Sequence, residues 1–237
     1  MLDSLATGEL PTGEDKTRRV REMFDAIAPR YDLVNGLMTF GLDARWRTRT
    51  VRALGLPHGS LVLDVAAGTG ELGDAAARHG HRVVGVDFSG PMLAAARSPR
   101  PSLQGDAAAL PIATGSVDGV VCGFALRNFT DRPACFAEMA RVLRPGGRAA
   151  LLEVAEPDAA LVRAGFHLWF DHVVPRIGGA LSDRAAYRYL PKSVAYLPSA
   201  EGLRHELVDA GFSGVNRRVL SGGLTQLVTA TRARGPS

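Results

Sequence analysis

Cysteine is nearly missing from this 237-residue chain, in which Cys122 and Cys135 are the whole complement. Two thiols in apolar surroundings cannot make a disulfide framework, and a reducing, cytoplasmic setting is the expectation. Long apolar runs are missing as well. No stretch reaches the roughly 18 residues that suggest a membrane span. Met1–Asp15 lacks a basic start followed by an apolar core, so no secretory leader is expected. Lysine is reduced to Lys16 and Lys192. The net charge of +4 and the pI near 9.5 therefore reflect scattered arginines. No interleaving of basic and aromatic residues marks a nucleic-acid face. Repeats and low-complexity tracts are absent too. What remains is an ordinary globular composition, 46% hydrophobic and 22% charged, in a length that suits one large α/β domain.

Residues 1–15 are rich in Gly, Pro, Thr and acidic residues and read as a flexible tail. Residues 16–237 read as a single domain. Val20, Met23, Phe24 and Ile27 recur at helical spacing up to about Ala28, and Pro29 interrupts the pattern. Leu42 to Leu54 reads as a further helix, with Trp46, Val51 and Leu54 on one side and Arg45, Arg47, Arg49 and Arg52 largely on the other. Residues 16–56 are thus expected to form a helical lid. Strands are expected at Leu61–Val65, Arg82–Asp87, Ser102–Gln104, Asp118–Phe124 and Ala149–Val154, with helices between them. The turn Arg144-Pro145-Gly146-Gly147-Arg148 precedes the last of these. Two more strands, Val215–Leu220 and Thr225–Thr231, suggest an antiparallel hairpin at the sheet edge. The alternation predicts an α/β fold with a doubly wound, mostly parallel seven-stranded sheet. Residues 158–198 break it and read as a helical insertion covering the top of the sheet.

The informative stretch is Leu61-Val62-Leu63-Asp64-Val65-Ala66-Ala67-Gly68-Thr69-Gly70-Glu71, a buried strand running into a small-residue turn. Glycines at 68 and 70 would let a ligand lie against the main chain at the carboxyl end of the sheet. Gly73 completes a literal G-x-G-x-x-G, so a dinucleotide has to be weighed. Asp64 argues against it. A carboxylate at that position can hold a cationic amino-acid group, but sits badly beside a pyrophosphate. Asp87, ending the second strand, can bond ribose hydroxyls, and Asp106-Ala107 can meet an adenine amino group. Together these favour S-adenosylmethionine over NAD. The cofactor-binding set is Asp64, Ala66, Gly68, Thr69, Gly70, Asp87, Asp106 and Ala107, and no metal ligands are assigned.

Longer segments carry a resemblance. They are Phe24-Asp25-Ala26-Ile27-Ala28-Pro29-Arg30-Tyr31-Asp32-Leu33-Val34-Asn35, then Leu63 to Gly70, Phe124-Ala125-Leu126-Arg127-Asn128-Phe129-Thr130-Asp131, Arg141 to Arg148, and Tyr189 to Val194. Over residues 20 to about 230 the chain resembles the ubiquinone/menaquinone C-methyltransferases, class I Rossmann-like enzymes that add the ring methyl to demethylmenaquinol. It departs from that pattern at Asp43, where a histidine is usual, and at Ala155 and Gly123, where serines are common.

The resemblance implies an S-adenosylmethionine-dependent C-methyltransferase. Its acceptor would be a small aromatic, a prenylated quinol, with no nucleic acid involved. Peripheral contact with the inner face of the membrane and a homodimer are left open. A ring carbon becomes nucleophilic when the adjacent hydroxyl loses its proton, so a base or a phenolate-stabilising group is useful. The candidates are Tyr31 with Asp32 from the lid and Arg127 with Asn128 after the fourth strand. His167, Asp171, Tyr189 and Tyr196 are lesser ones in the cover. Phe166, Trp169 and Phe170 would suit a prenyl tail or an ordinary core. Two alternatives remain: a methyltransferase of soluble aromatic natural products, and a cofactor-binding scaffold without methyl transfer.

Overall fold

The computed structural model describes residues 12–157, 159, 163–165, 168–173, 176, 186, 189 and 192–234. Phe166, His167, Val174 and Tyr187 of the expected cover lie outside the described residues, as do the side chains of Phe170 and Asp171 and most of the expected tail.

The N-terminal layer is helical. Helix α1 spans Gly13–Ile27, starting three residues before the expected boundary, and buries Lys16, Val20, Met23 and Ile27. Pro29 sits in a 3-10 turn, Ala28–Arg30, that redirects the chain into α2, Tyr31–Met38. Helix α3 follows at Leu42–Leu54, entered at Gly41 and left at Gly55, both left-handed. The arginine side of α3 is not all exposed, because Arg47 is buried among acids.

The sheet has seven strands in the order β3-β2-β1-β4-β5-β7-β6. Strands β1 (Leu61–Val65), β2 (Arg82–Asp87), β3 (Ser102–Gln104), β4 (Val117–Gly123) and β5 (Leu143–Val154) are parallel. Strand β7 (Thr225–Arg232) runs antiparallel to β5 and to β6 (Phe212–Leu220), so the final hairpin places β6 at the edge. The helices between are α4 (Glu71–Arg78), α5 (Gly90–Ala94), α6 (Arg132–Val142) and α7 (Ala200–Asp209). Strand β5 begins earlier than expected. Leu143 already pairs with Val117 and Arg148 with Gly119, so the Pro-Gly-Gly turn is an excursion within the strand rather than a preface to it. Gly147 permits it, since a Cβ there would come within 2.8 Å of the Arg144 carbonyl.

Strand β1 lies between β2 and β4, and its side chains alternate between two apolar layers. Leu63 and Val65 pack with Phe136, Met139, Leu203 and Leu207 on the α6–α7 side. Val62 packs with Val51, Leu54, Leu72 and Ala75 on the α3–α4 side. Asp64 falls on that second face by parity, a lone acid in an apolar layer. A third cluster joins Val20, Met23, Ile27, Val34 and Met38 to Ala186 and Tyr189, with Phe88, Trp169 and Tyr196 against it. Burying each large apolar side chain contributes roughly 1.5–3 kcal/mol, so the N-terminal helices are fastened to the domain rather than loosely appended.

Candidate active site

Three connected features arise where β1, β2 and β4 end. The first is the turn after β1. Ala66 and Gly68 both have positive φ, +54° and +57°, and Gly70 reaches +81°. At Gly68 a Cβ would press on Met92 at 3.1 Å, beside a cavity that Gly68 itself lines. Gly70 has a different reason to be glycine. It is the left-handed residue before α4, and a side chain there would collide with Arg100, which donates to the Gly70 carbonyl and pairs with Asp74. Gly70 lines no described cavity.

The acids are arranged around this turn. Asp64 is 1% exposed and its Oδ2 accepts from the Gly73 amide at 2.8 Å. Gly73 serves packing: a Cβ there would lie 3.0 Å from that same oxygen. Burial pushes the Asp64 carboxyl up to about 7, against the pull of the Gly73 amide and the Arg100 charge. Asp87 accepts from the Gly68 and Ser89 amides, each at 2.8 Å. Desolvation raises its pKa, and these amides oppose the rise. Each Asp87 oxygen retains a lone pair for a further donor. Asp106 is exposed and shapes its own turn by accepting from the Ala108 amide at 2.8 Å.

The second feature is a row of cavities. One of about 220 Å³ is lined by Ala66, Gly68, Asp87, Asp106, Ala107 and Asn128, among others, and Thr17 and Phe24 of α1 also reach it. A small one of about 50 Å³ adjoins it, walled by Asp64, Ala66, Gly68, Thr69, Glu71 and Arg47. The third, about 480 Å³, is mostly apolar, with Met38, Phe40, Trp46, Val154, Trp169 and Leu224 in its wall. Tyr31 and Phe124 line all three. Phe124 follows β4 directly with a φ of +57°, a strained setting for a bulky residue that turns its ring into the junction. Nothing in the sequence announced this. A bulky residue where the turn geometry calls for glycine becomes visible only once φ is known.

The third feature is the charge around the large cavity. Arg127 is buried, with its guanidinium paired to Glu153, donating to the Phe124 carbonyl at 2.8 Å and to Ser193 Oγ at 3.1 Å. Arg47 bridges Asp43 at 2.8 Å and Glu71 at 2.5 Å and borders both the large and the small cavity. Asp43 is the one carboxylate among the described residues of the large cavity's wall. Tyr31 has its hydroxyl pKa raised by burial, with the Asn35 hydrogen bond opposing, so it is a proton donor at neutral pH. Thr225 is 1% exposed and its Oγ1 has no hydrogen-bond partner among the described residues, although the residue lines the large cavity.

The expected catalytic residues are distributed rather than clustered. Tyr31 stands at the junction and Arg127 on the large cavity, whereas Asn128 faces the 220 Å³ cavity and accepts from the Tyr189 hydroxyl at 3.4 Å. Asp32 lines no described cavity. It accepts from Thr69 Oγ1 at 2.6 Å and meets Arg97 at 3.5 Å, fastening α2 to the turn after β1. Sequence reasoning missed Lys16, whose ammonium donates to the carbonyls of Arg127 and Phe129, both at 3.0 Å, and lies 3.7 Å from the Tyr196 ring. Its isolation as one of two lysines in an arginine-rich chain was the available signal. No cluster able to hold a metal ion occurs among the described residues.

Residues 12–232 match the model of the ubiE/COQ5 methyltransferase family. The chain belongs to that family. It is an S-adenosylmethionine-dependent methyltransferase. A relative from Syntrophotalea carbinolica, the ubiquinone/menaquinone biosynthesis C-methyltransferase UbiE, is 41% identical over 90% of this chain and 94% of its own length. The demethylmenaquinone methyltransferases of Roseiflexus castenholzii and Deinococcus radiodurans are 40% and 44% identical. They are matched over 98% and 89% of their own lengths and over 95% and 85% of this chain. Among solved structures, phosphoethanolamine N-methyltransferase 2 of Haemonchus contortus, in complex with phosphomonomethylethanolamine and S-adenosylhomocysteine, superposes with a TM-score of 0.66. It is 14% identical, and the match covers 90% of this methyltransferase and 60% of that chain. The [4+2]-cyclase SpnF superposes at 0.61 with 17% identity over 95% and 98%. Both likenesses concern the fold. The turn at Gly68, where a Cβ would intrude, and the carboxylates Asp64 and Asp87 beside the adjoining cavities fit the cofactor's main chain approach, ammonium and ribose.

Proposed function

We propose that this methyltransferase methylates a ring carbon of demethylmenaquinol. The observation carrying this reading is the large apolar cavity, joined to the donor side through Tyr31 and Phe124 and edged by two buried guanidinium groups. Its volume and apolar wall suit an aromatic ring with the start of a prenyl tail, and the names of the relatives agree. No described helix is long and apolar enough to cross a membrane. A prenylated acceptor would bring the protein into peripheral contact with a membrane surface.

In this reading Asp64, Ala66, Gly68, Thr69, Asp87, Asp106 and Ala107 hold S-adenosylmethionine, which supplies a methyl group activated on a sulfonium. The protein aligns the acceptor and excludes water. Arg127 and Arg47 lower the acidity threshold of the acceptor hydroxyl by stabilising its oxyanion. Tyr31 donates to the same oxygen or to its neighbour. Asp43, the one carboxylate in the described wall of the large cavity, accepts the hydroxyl proton; after the ring carbon has taken the methyl group it loses its own hydrogen as a proton to solvent, and Asp43 returns the first proton to the oxygen. The N-terminal helices α1 and α2 act as the lid.

Incubation with methyl-labelled S-adenosylmethionine and reduced demethylmenaquinone tests this. Labelled menaquinol is expected. Cofactor binding with no transfer to the quinol, but transfer to soluble phenols, would replace the acceptor assignment.

A further inference from the structure

Seven large apolar side chains are exposed in the described structure, and they are not scattered evenly. Leu103, Val208 and Val219 stand apart on β3, α7 and β6, whereas Leu33, Leu37 and Phe40 fall within eight residues of one another and Leu168 is next in the chain to Trp169, the ring partner of Phe40. Leu33 and Leu37 are one helical turn apart on α2, 53% and 47% exposed. Phe40 follows at 72% exposure, and its ring lies 4.7 Å from that of Trp169, next to Leu168, itself 63% exposed. Phe40 and Trp169 also line the large cavity and stand at its edge, whereas Leu33, Leu37 and Leu168 line no described cavity and form an apolar rim outside it. Trp169 is fixed by donating to the Met38 carbonyl at 3.1 Å.

Phe40 is unfavourable twice over. Its φ is +53°, where a glycine would sit without strain, and its ring is offered to water. Its ring contact with Trp169 offsets part of that cost. The exposed charges of this N-terminal segment share one sign. Between residues 28 and 54 the exposed charged side chains are Arg30, Arg45, Arg49 and Arg52, while the acids Asp32 and Asp43 are turned inward to Thr69 and Arg47. Arg97, largely exposed, meets Asp32 beside Leu33.

We propose that this rim is the face on which the enzyme docks to an anionic lipid bilayer, with Leu33, Leu37, Phe40 and Leu168 entering the headgroup boundary. The inference rests on the prenylated acceptor proposed above and names where that acceptor enters. Apolar side chains inserted beside arginines are the combination that holds proteins to anionic interfaces. An aromatic pair at the boundary fits the same location. The cavity's edge at Phe40 and Trp169 then faces the membrane, and the acceptor ring reaches Tyr31 without its tail crossing water.

The test is cosedimentation of the full chain with vesicles of phosphatidylglycerol mixed with phosphatidylcholine, and of phosphatidylcholine alone, at low and high salt. The wild type should bind the anionic vesicles, less tightly as salt rises. The double variant Leu33→Ser/Leu37→Ser should bind about tenfold more weakly, while its turnover of a tail-less naphthohydroquinone in water stays at the wild-type rate. Phe40→Gly should weaken vesicle binding. Wild-type protein that stays in the supernatant, or a double variant that binds vesicles as well as wild type, would overturn the proposal. So would a double variant whose only change is a dimer falling to a monomer, since the face would then join two copies. If vesicle binding behaves as expected but neither quinol is methylated, the acceptor assignment fails and the docking face stands.

Discussion

Asp64 should make cofactor binding depend on pH. Its carboxyl is pushed up to about 7 by burial, and it faces the cavity where a cationic amino-acid group is expected. If only the carboxylate form receives the ammonium, about one molecule in eleven is competent at pH 6 and half are at pH 7. Affinity for S-adenosylhomocysteine should therefore rise about fivefold over that unit. Calorimetric titration at the two pH values measures it, below the range where an α-amino group itself titrates, roughly 7.7–8. Asp64→Asn should bind more weakly at pH 7 and show no rise. The free enzyme carries the opposite signature. A carboxyl whose folded pKa lies above its unfolded value stabilises the fold fully below the unfolded pKa, near 3.8, and this is lost as pH climbs through about 7. Three units correspond to on the order of 4 kcal/mol. Thermal melts from pH 4 to about pH 7 should thus lose stability in wild type, and more shallowly in Asp64→Asn. Wild-type affinity that changes less than about twofold between pH 6 and 7, or an Asn variant with the wild-type slope, would refute the assignment.

Three other substitutions probe the surrounding machinery. Lys16→Met removes an ammonium that donates to two carbonyls flanking Asn128. Charged hydrogen bonds contribute about 1.5–3 kcal/mol each, so melting temperature should drop and turnover fall about tenfold, with Lys16→Arg recovering part of both. Glu153→Gln leaves Arg127 buried without its counter-charge. A loss of about 3–5 kcal/mol is expected in urea unfolding, and a loss below about 1 kcal/mol would show that Ser193 and the Phe124 carbonyl suffice. Thr225→Val deletes a buried hydroxyl without a described partner. The free enzyme should gain about 1 kcal/mol, and the acceptor KM should rise if the quinol bonds that hydroxyl; steady-state kinetics beside a melt separates the two effects.

The parts legible in the sequence are those written by near neighbours along the chain. Alternating apolar runs and helical stripes marked the seven strands and most helices, because period 2 and period 3.6 are properties of the local backbone. Leu61 to Glu71 announced its turn because only small residues tolerate positive φ there. Asp64 and Asp87 stood out as acids inside or ending apolar strands. The purpose of individual residues was less legible. Gly70, which reads as a place for ligand approach, answers to Arg100 instead, and Asp32 fastens α2 to Thr69. Arg47 reads as one of a row of arginines on its helix, yet it pairs with Glu71 at the start of α4.

What the chain determined by itself is the sheet, the turn after β1 and the family pattern, since each is carried by contiguous residues. The tertiary structure alone decided which groups meet. Lys16 and Arg127 are 111 positions apart, Arg127 and Ser193 are 66 apart, and Trp46 and Ser221 are 175 apart. Periodicity has no term for such pairs. They exist because close packing of the N-terminal helices over the strand ends leaves each buried charge only the partners that folding brings within reach.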